Sequence, residues 1–304
     1  MTAMRLSRRL RLARHQLHVA IEAFRIPQAA VPGHYYSAIP SIRDIRRHES
    51  EIFPTPPPDS LPGIELNTSE QLALVKELSG YYADQPFSEG PRPDLRYHFA
   101  NSFFSYGDGL MLYSMLRHIA PSRIIEVGSG FSSAVILDTN ERFLDGRAQC
   151  TFIEPYADRL KGLLRDSDRS TCRVIERPVQ EVDLAVFDQL EDGDVLFIDS
   201  SHLVKVGSDV ARIFTTILPS VPTGVYIHIH DIPYPFQYPR SWIYQGRFLN
   251  EAYVLHAFLQ FNREFKILLF NSYLEQKHAA SVTELMPLWA RNPGGSVWLR
   301  RVAA

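Results

Sequence analysis

An acidic residue, Glu126, lies two positions before a Gly-Ser-Gly turn in the stretch RIIEVGSGFSSAVILD, between an apolar run and a predicted helix. Gly128 and Gly130 let the backbone bend and approach a ligand without an intervening Cβ. A carboxylate at this place repels a pyrophosphate and attracts an ammonium or sulfonium group. The third glycine of a dinucleotide motif is also replaced by Ser133. The pattern therefore favours a cationic cofactor.

A second acid, Glu154, ends the next apolar stretch, TFIE. Its two carboxylate oxygens suit the two neighbouring hydroxyls of a ribose. Upstream, Tyr106 and Asp108 lie near the start of a predicted helix. Asp108 either contacts a ligand there or caps the helix, and the sequence leaves both alternatives open.

Acids and histidines follow two further predicted strands. DVLFIDSSH ends with Asp199 and His202, and GVYIHIHD ends with His230 and Asp231, so these side chains are expected to converge at one sheet edge. Asp199, His230 and Asp231 suit a divalent ion such as magnesium or manganese, or else hydrogen bonds to a substrate. His202 suits a general base, or a cap on the following helix. His228 is predicted to be a packing residue.

An aromatic segment, IPYPFQYPRSWIYQGRF, comes directly after these residues. Tyr234, Tyr238 and Trp242 suit the face of a sugar or of a flat natural product, and Arg240 suits an anionic substituent. The same residues equally suit a lid that packs on the domain, or a contact between copies of the chain in a homo-oligomer. The sequence does not decide between these alternatives.

The elements that position these residues alternate between short apolar stretches and helical patterns from Tyr97 onward, as βαβ units do. Seven strands are predicted, of which FKILLF and GSVWLRRV form an antiparallel pair. The sequence thus predicts an α/β domain with a doubly wound, mostly parallel sheet over residues 96–304. Residues 1–95 are predicted to be an extension with a basic N-terminal helix, a proline-rich wrapping segment and one short helix opened by Ser69.

Composition limits the partners of the chain. A formal net charge of -2 with 45% apolar residues argues against a nucleic-acid partner and favours a small-molecule substrate. Cys150 and Cys172 are expected to be free thiols. Arginines near the N-terminus suit at most a peripheral contact with an anionic membrane. We therefore predict a cytoplasmic protein.

The combination of E-V-G-S-G, Glu154 and DVLFIDSSH resembles the class I S-adenosylmethionine-dependent methyltransferases, over most of residues 96–304. The resemblance implies a Rossmann-like fold with S-adenosylmethionine as cofactor. It implies that Glu126 and the Gly128 to Gly130 backbone hold the methionine moiety, with Asp108 near its amino-acid end. It further implies that Glu154 holds the ribose and that the loop at Val179 and Gln180 lies by the adenine.

The arrangement of Asp199, His202 and the acidic end of the fifth strand is similar to the metal-dependent O-methyltransferases of macrolide sugars and to cephalosporin hydroxylase-like proteins. In that group the fifth strand ends in two carboxylates, whereas this chain has His230-Asp231. The resemblance implies O-methylation of a small molecule, a sugar or a secondary metabolite, with His202 as base and a divalent metal assisting. Two alternatives stay open: a metal-dependent hydroxylase on the same fold, and a cofactor-binding subunit without turnover.

Overall fold

A seven-stranded sheet forms the centre of the computed structural model, which describes residues 30–303. Its order is β3-β2-β1-β4-β5-β7-β6, with β1 to β5 parallel and β7 antiparallel to both neighbours. This confirms the predicted doubly wound sheet and its antiparallel end. The strands are β1 Arg123–Val127, β2 Gln149–Ile153, β3 Cys172–Ile175, β4 Val195–Ile198, β5 Tyr226–His230, β6 Phe265–Phe270 and β7 Ser296–Arg301.

The central strands are buried because apolar runs such as RIIEV and VLFI cover both of their faces with packed side chains. All four residues of β4 have no exposed surface. The chain reverses its strand order between β1 and β4, which places a crevice beyond their carboxyl ends. Glu126, Asp199, His230 and Asp231 lie in or directly after the strands that meet at this crevice.

Helices connect the strands and line the extension. The predicted short helix is present, and Gly80 follows its last residue as predicted. Two further short helices precede it. Ser41 caps the first of these, because its hydroxyl accepts a hydrogen bond from the backbone N–H of Asp44. The α-helices are α1 Ile42–Arg47, α2 Glu49–Ile52, α3 Thr68–Ser79, α4 Tyr106–Ile119, α5 Phe131–Phe143, α6 Asp158–Leu163, α7 Asp168–Thr171, α8 Asp209–Arg212, α9 Leu218–Ser220, α10 Arg240–Tyr244, α11 Glu251–Leu259 and α12 Asn271–Leu285.

Further predictions concern the N-terminal helix, contact with a membrane and the two cysteines. The basic N-terminal helix, with the membrane contact expected of its arginines, lies outside the described residues. None of the helices between residues 30 and 303 is both long and apolar enough to cross a membrane. Cys150 is buried and Cys172 half-buried, and both are free thiols.

The extension covers the outer edge of the sheet. Gln71 accepts a hydrogen bond from the backbone N–H of Phe270 at 2.8 Å, and Asn67 donates its amide to the carbonyl of Ile267 at 3.1 Å. Both side chains therefore satisfy backbone groups of β6 that no further strand pairs with. Val75 and Leu78 on the same helix are buried in the core.

An ion network links Arg96, the residue directly after the extension, to the helix that follows the glycine turn. The Arg96 guanidinium donates two hydrogen bonds to Asp168, at 2.6 and 2.8 Å, and one each to Asp138 and Glu141, both at 2.7 Å. The second oxygen of Asp138 accepts the backbone N–H groups of Arg96 and Tyr97. The charges are buried but each of them is paired, which such a network requires.

Replacing Arg96 by alanine is expected to lower the free energy of unfolding by about 3–5 kcal/mol, because two buried carboxylates lose their partner. Urea unfolding followed by circular dichroism measures the change. Arg92→Ala is the matched control, since Arg92 pairs with Asp94 at an exposed position, and we expect it to change the midpoint little. Equal losses in the two variants would contradict this assignment.

Candidate functional site

The glycine turn after β1 meets the end of β4 at backbone distance. Gly128 has φ of +81°, and a Cβ at this residue would lie 1.8 Å from the carbonyl oxygen of Asp199. Only glycine fits, both because of this contact and because L-residues rarely adopt such a φ. The backbone of Gly128 also donates to the carbonyl of Ile153 at 2.9 Å, which fixes the turn between β1, β2 and β4.

Glu154 lies against the same turn, as its place at the end of β2 predicts. One of its oxygens accepts the backbone N–H of Ser129 at 3.1 Å and the other accepts that of Tyr156 at 2.8 Å. A cleft of about 450 Å³ opens beside it, lined among others by Gly128, Glu154, Gln180 and Asp199. The structure thus brings three of the predicted cofactor residues, Gly128, Glu154 and Gln180, together with Asp199 at the end of β4.

Glu126 lies beneath the turn with no exposed surface. The Ser133 hydroxyl donates a very short hydrogen bond to one of its oxygens, and the backbone N–H of Gly130 donates to the same hydroxyl at 3.0 Å. Its other oxygen has no partner within the described part of the chain. Burial raises the pKa of Glu126 to about 8, although the hydroxyls of Ser132, Ser133 and Ser129 oppose this. Glu126 therefore supports the turn from below rather than facing the cleft.

His202 stands between carboxylates from three elements. Its Nε2 atom lies 3.3 Å from Asp199 and 3.6 Å from Asp231, and its Nδ1 atom lies 2.7 Å from Glu251. His202 and Asp231 both have positive φ, of 58° and 54°. Such backbone strain in residues other than glycine is concentrated at functional sites. The predicted convergence of Asp199, His202 and Asp231 is present.

Comparisons with known proteins decide the family. The sequence model of a family described as a methyltransferase domain matches residues 125–232, which begin within β1, include both acids and extend past the end of β5. An uncharacterised protein of Archaeoglobus fulgidus is 37% identical over 167 residues, which cover 53% of this chain and 73% of the relative. The chain belongs to the class I S-adenosylmethionine-dependent methyltransferases.

Two solved structures are similar to this methyltransferase in overall structure. A methyltransferase of Podospora anserina bound to SAH is 14% identical, with a TM-score of 0.44 and with 88% of this chain and 99% of that one covered. An O-methyltransferase of Streptomyces achromogenes, involved in tomaymycin synthesis and in complex with SAM, is 14% identical, with a TM-score of 0.43 and coverages of 86% and 96%. The family assignment rests on the sequence matches.

The cleft of the methyltransferase fits its cofactor. The turn at Gly128 offers bare backbone, Glu154 keeps unused lone pairs for a ribose diol, and the exposed Gln180 lines the far end. Gln180 donates to the carbonyl of Gly207 at 3.0 Å, so this end of the cleft is linked to the loop after β4. These residues would hold S-adenosylmethionine.

The sequence did not single out Glu251, which is fully buried at the start of α11. One of its oxygens lies 2.7 Å from the His202 ring, and the other accepts the Ser200 hydroxyl at 2.9 Å. The backbone N–H groups of Asn250 and Glu251 both donate to the carbonyl of His202, at 3.1 and 3.2 Å. The first turn of α11 therefore fixes both the ring and the backbone of this histidine.

The three carboxylates determine the charge of His202. Burial disfavours the imidazolium, but the hydrogen bonds of Asp199 and Glu251 outweigh it and raise the pKa of His202 to about 11. Burial alone would raise the pKa of Asp199, yet the neighbouring His230 and His202 hold it below its ordinary value. In the absence of ligands His202 therefore carries a proton at neutral pH.

Asp108 and His230 lie deeper in the same cluster. Asp108 accepts the backbone N–H of Gly295 at 3.2 Å and does not cap its helix, where Ser105 is the N-cap residue. Burial raises the pKa of Asp108 to about 6, against the opposing charge of His230. The Nδ1 atom of His230 has no partner among the described residues. His228 stacks on Phe197 with ring centroids 4.0 Å apart, which is the packing role predicted for it.

The predicted metal ligands do not converge as they stand. Between residues 30 and 303 no group of three His, Cys, Asp or Glu side chains is arranged to hold a metal ion. His230 Nε2 lies 3.8 Å from Asp231, while the His202 ring lies beside both Asp199 and Asp231. This arrangement does not fit a metal without movement of these side chains.

Two of the four predicted substrate residues, Tyr234 and Tyr238, pack inside the protein. Tyr234 and Tyr238 are buried: the hydroxyl of Tyr234 donates to the carbonyl of Pro58, and that of Tyr238 accepts the N–H of Ala252. Trp242 stacks near Tyr238, and Arg240 pairs with Glu49 at 2.7 Å. Their partners lie within the chain, which favours the alternative of a segment packed on the domain.

Replacing Gly128 by alanine is expected to weaken the binding of S-adenosylhomocysteine at least about tenfold, because the new Cβ displaces the end of β4. Isothermal titration calorimetry measures this affinity. Gly146→Ala is the control: Gly146 also has positive φ, at +67°, but no described atom lies within 4 Å of its added Cβ. Wild-type affinity in Gly128→Ala would refute the close approach.

The stability of the ligand-free protein is expected to fall as the pH rises from 6 to 9. The pKa of Glu126 is raised from 4.5 to about 8 in the folded state, so the folded state holds this proton more tightly than the unfolded chain. The stabilisation is complete below the ordinary pKa and is lost as the pH passes 8. Urea unfolding should show a smaller fall in Glu126→Gln, and an unchanged fall would disprove the link.

Proposed function

We propose that this methyltransferase transfers the methyl group of S-adenosylmethionine to a hydroxyl of a small molecule, with His202 as the general base. The observation that supports this most directly is the His202 ring, held by Glu251 next to the cofactor cleft. A histidine fixed in this way resembles the base-and-carboxylate pairs that activate hydroxyls elsewhere. The oxygen acceptor and the role of His202 both form part of the proposal.

His202 would take the proton that the acceptor hydroxyl loses. The acceptor oxygen forms a bond to the methyl carbon while the bond from that carbon to sulfur breaks, and S-adenosylhomocysteine leaves. When bound, the cofactor supplies an electrophilic methyl group on a positively charged sulfur. Glu251 holds the imidazole ring in place, and Ser200 holds Glu251 through its hydroxyl.

The positive charge of His202 in the ligand-free protein bears on the order in which cofactor and acceptor bind. Its pKa of about 11 means that it must lose a proton before it can accept one. A sulfonium group close to Asp199 adds positive charge to the same cluster, which favours the neutral imidazole. We therefore expect the cofactor to bind before the acceptor.

A divalent ion at Asp199, His230 and Asp231 stays a prediction. Asp199 and Asp231 each expose about a third of the side chain, at 35% and 34%, so an ion has access to both. Metal analysis of protein purified without chelators, compared with Asp199→Ala/Asp231→Ala, tests it. Equal metal content in the two proteins would remove this part of the proposal.

Calorimetric titration with S-adenosylmethionine, S-adenosylhomocysteine and NAD tests the cofactor. The first two are expected to bind and NAD is not, and Glu154→Ala is expected to lose most of the affinity because the ribose loses its acceptor. Binding of NAD without a response to the sulfur nucleosides would exclude the proposed function.

His202→Gln tests the base. We expect it to keep cofactor affinity within twofold and to lose about 10²- to 10⁴-fold in methyl transfer, the usual contribution of a general base. Release of S-adenosylhomocysteine measures turnover. His256→Gln is the matched control because its ring stacks on Phe236, away from the acids. Unchanged turnover in His202→Gln would eliminate this role.

A further inference from the structure

An apolar cavity of about 360 Å³ lies between the extension and the segment that follows β5. Its size falls within the range of small-molecule sites. Residues between positions 38 and 53 form one wall, and residues between positions 237 and 253 form the other. The apolar part of the lining includes Pro40, Ile45, Phe53, Ile243, Phe248 and Leu249.

Specific polar contacts hold the two walls together. Glu49 on α2 accepts the Arg240 guanidinium at 2.7 Å and the Tyr244 hydroxyl at 2.7 Å. Arg46 on α1 lies over the ring of Tyr244, 5.7 Å from its centroid. The extension is therefore bound to the opposite wall, and these contacts fix the width of the cavity between them.

This cavity adjoins His202 through the start of α11. Asn250 lines the cavity and donates its backbone N–H to the carbonyl of His202 at 3.1 Å. The next residue, Glu251, holds the His202 ring, and Tyr253 lines the cavity again two residues later. The first turn of α11 therefore both lines the cavity and holds His202 in place.

The cofactor cleft is linked to the same histidine through the chain. Asp199, Ser200 and Ser201 line that cleft, and His202 follows them directly. Residues 199–202 therefore link the cleft to the start of α11, which lines the cavity. Methyl transfer requires that donor and acceptor meet beside the base.

Polar groups around the cavity are few and already paired. None of the described residues that line it is charged. Gln237 donates its amide to the Tyr253 hydroxyl at 3.0 Å, and Asn250 accepts the N–H of Val204 at 2.6 Å. A sugar hydroxyl placed here without a partner would lose its hydrogen bonds to water and gain none. The lining thus disfavours a sugar and favours an apolar ligand.

We propose that this cavity holds the apolar body of the methyl acceptor, an uncharged small molecule of fused rings whose hydroxyl is directed towards His202. The inference rests on the proposed methyl transfer and names its substrate class. It gives the extension a function, since residues between positions 38 and 53 form one wall of the binding surface. Acceptors that are themselves free sugars are excluded by it.

The probe is 2-naphthol, whose fluorescence is followed as protein saturated with S-adenosylhomocysteine is added. Methyl α-glucoside, titrated by calorimetry, is the polar counterpart. Ala38→Trp and Ile52→Trp each fill the cavity from the extension, and Ala83→Trp is the matched control at an exposed position outside it. We expect wild type and Ala83→Trp to bind naphthol alike, a tenfold or greater rise of Kd in both cavity variants, and no heat with the glucoside.

Release of S-adenosylhomocysteine from S-adenosylmethionine with 2-naphthol as acceptor completes the test. Transfer that falls in both cavity variants, while their cofactor affinity stays within twofold of wild type, supports the inference. Three results would overturn it: equal naphthol affinity in all variants, glucoside binding without naphthol binding, or naphthol binding without transfer. Failure of the cofactor to bind would instead refute the proposed function, and the naphthol titration without nucleoside would still report on the cavity.

Discussion

No side chain fits between Gly128 and the carbonyl oxygen of Asp199, and the positions of the other site residues follow from this contact. The two residues end neighbouring strands, and the N–H of Asp199 donates to the carbonyl of Val127 at 2.8 Å. The floor of the cleft and the beginning of the segment that leads to His202 are consequently one hydrogen-bonded unit. A shift of either strand end would move the cofactor and His202 together.

The charges of the site form a second constraint. Asp108, Asp199, Asp231 and Glu251 lie around His202 and His230, and when all four carboxylates are ionised their charge exceeds that of the two histidines. Burial of unpaired charge is costly, and the raised pKa values of Asp108 and His202 reduce that excess by keeping protons in the site. A ligand that carries positive charge relieves the same excess, which is a physical reason for a sulfonium cofactor here.

The regular parts of the fold were predictable because their signals are local. Apolar runs identified all seven strands, and the spacing of Glu126, Gly128 and Glu154 identified the cleft, since residues that end neighbouring parallel strands must meet. Strand direction at the end of the sheet was equally clear. The resemblance carried by the same residues gave the family, which the sequence matches confirm.

Glu251 and the cavity could not be predicted because they depend on contacts distant in sequence. The stretch NEAYVLHAF has the pattern of an ordinary helix start, and Glu251 reaches His202 only because that backbone carbonyl binds the first turn of α11. The alternatives left open for the aromatic segment have a related reason: the hydroxyl of Tyr234 donates to the carbonyl of Pro58, 176 positions away in sequence, and the ring is part of the core.

The side chains of Asn67 and Gln71, which bind the outer strand β6, limit how copies of the chain can associate. A strand of a neighbouring molecule could pair with β6 only after displacing these amides from the backbone of Ile267 and Phe270. Exposed strand edges are the usual starting point of uncontrolled strand-to-strand assembly. The extension thus blocks one route to aggregation, and a dimer of this protein would have to form through some other surface.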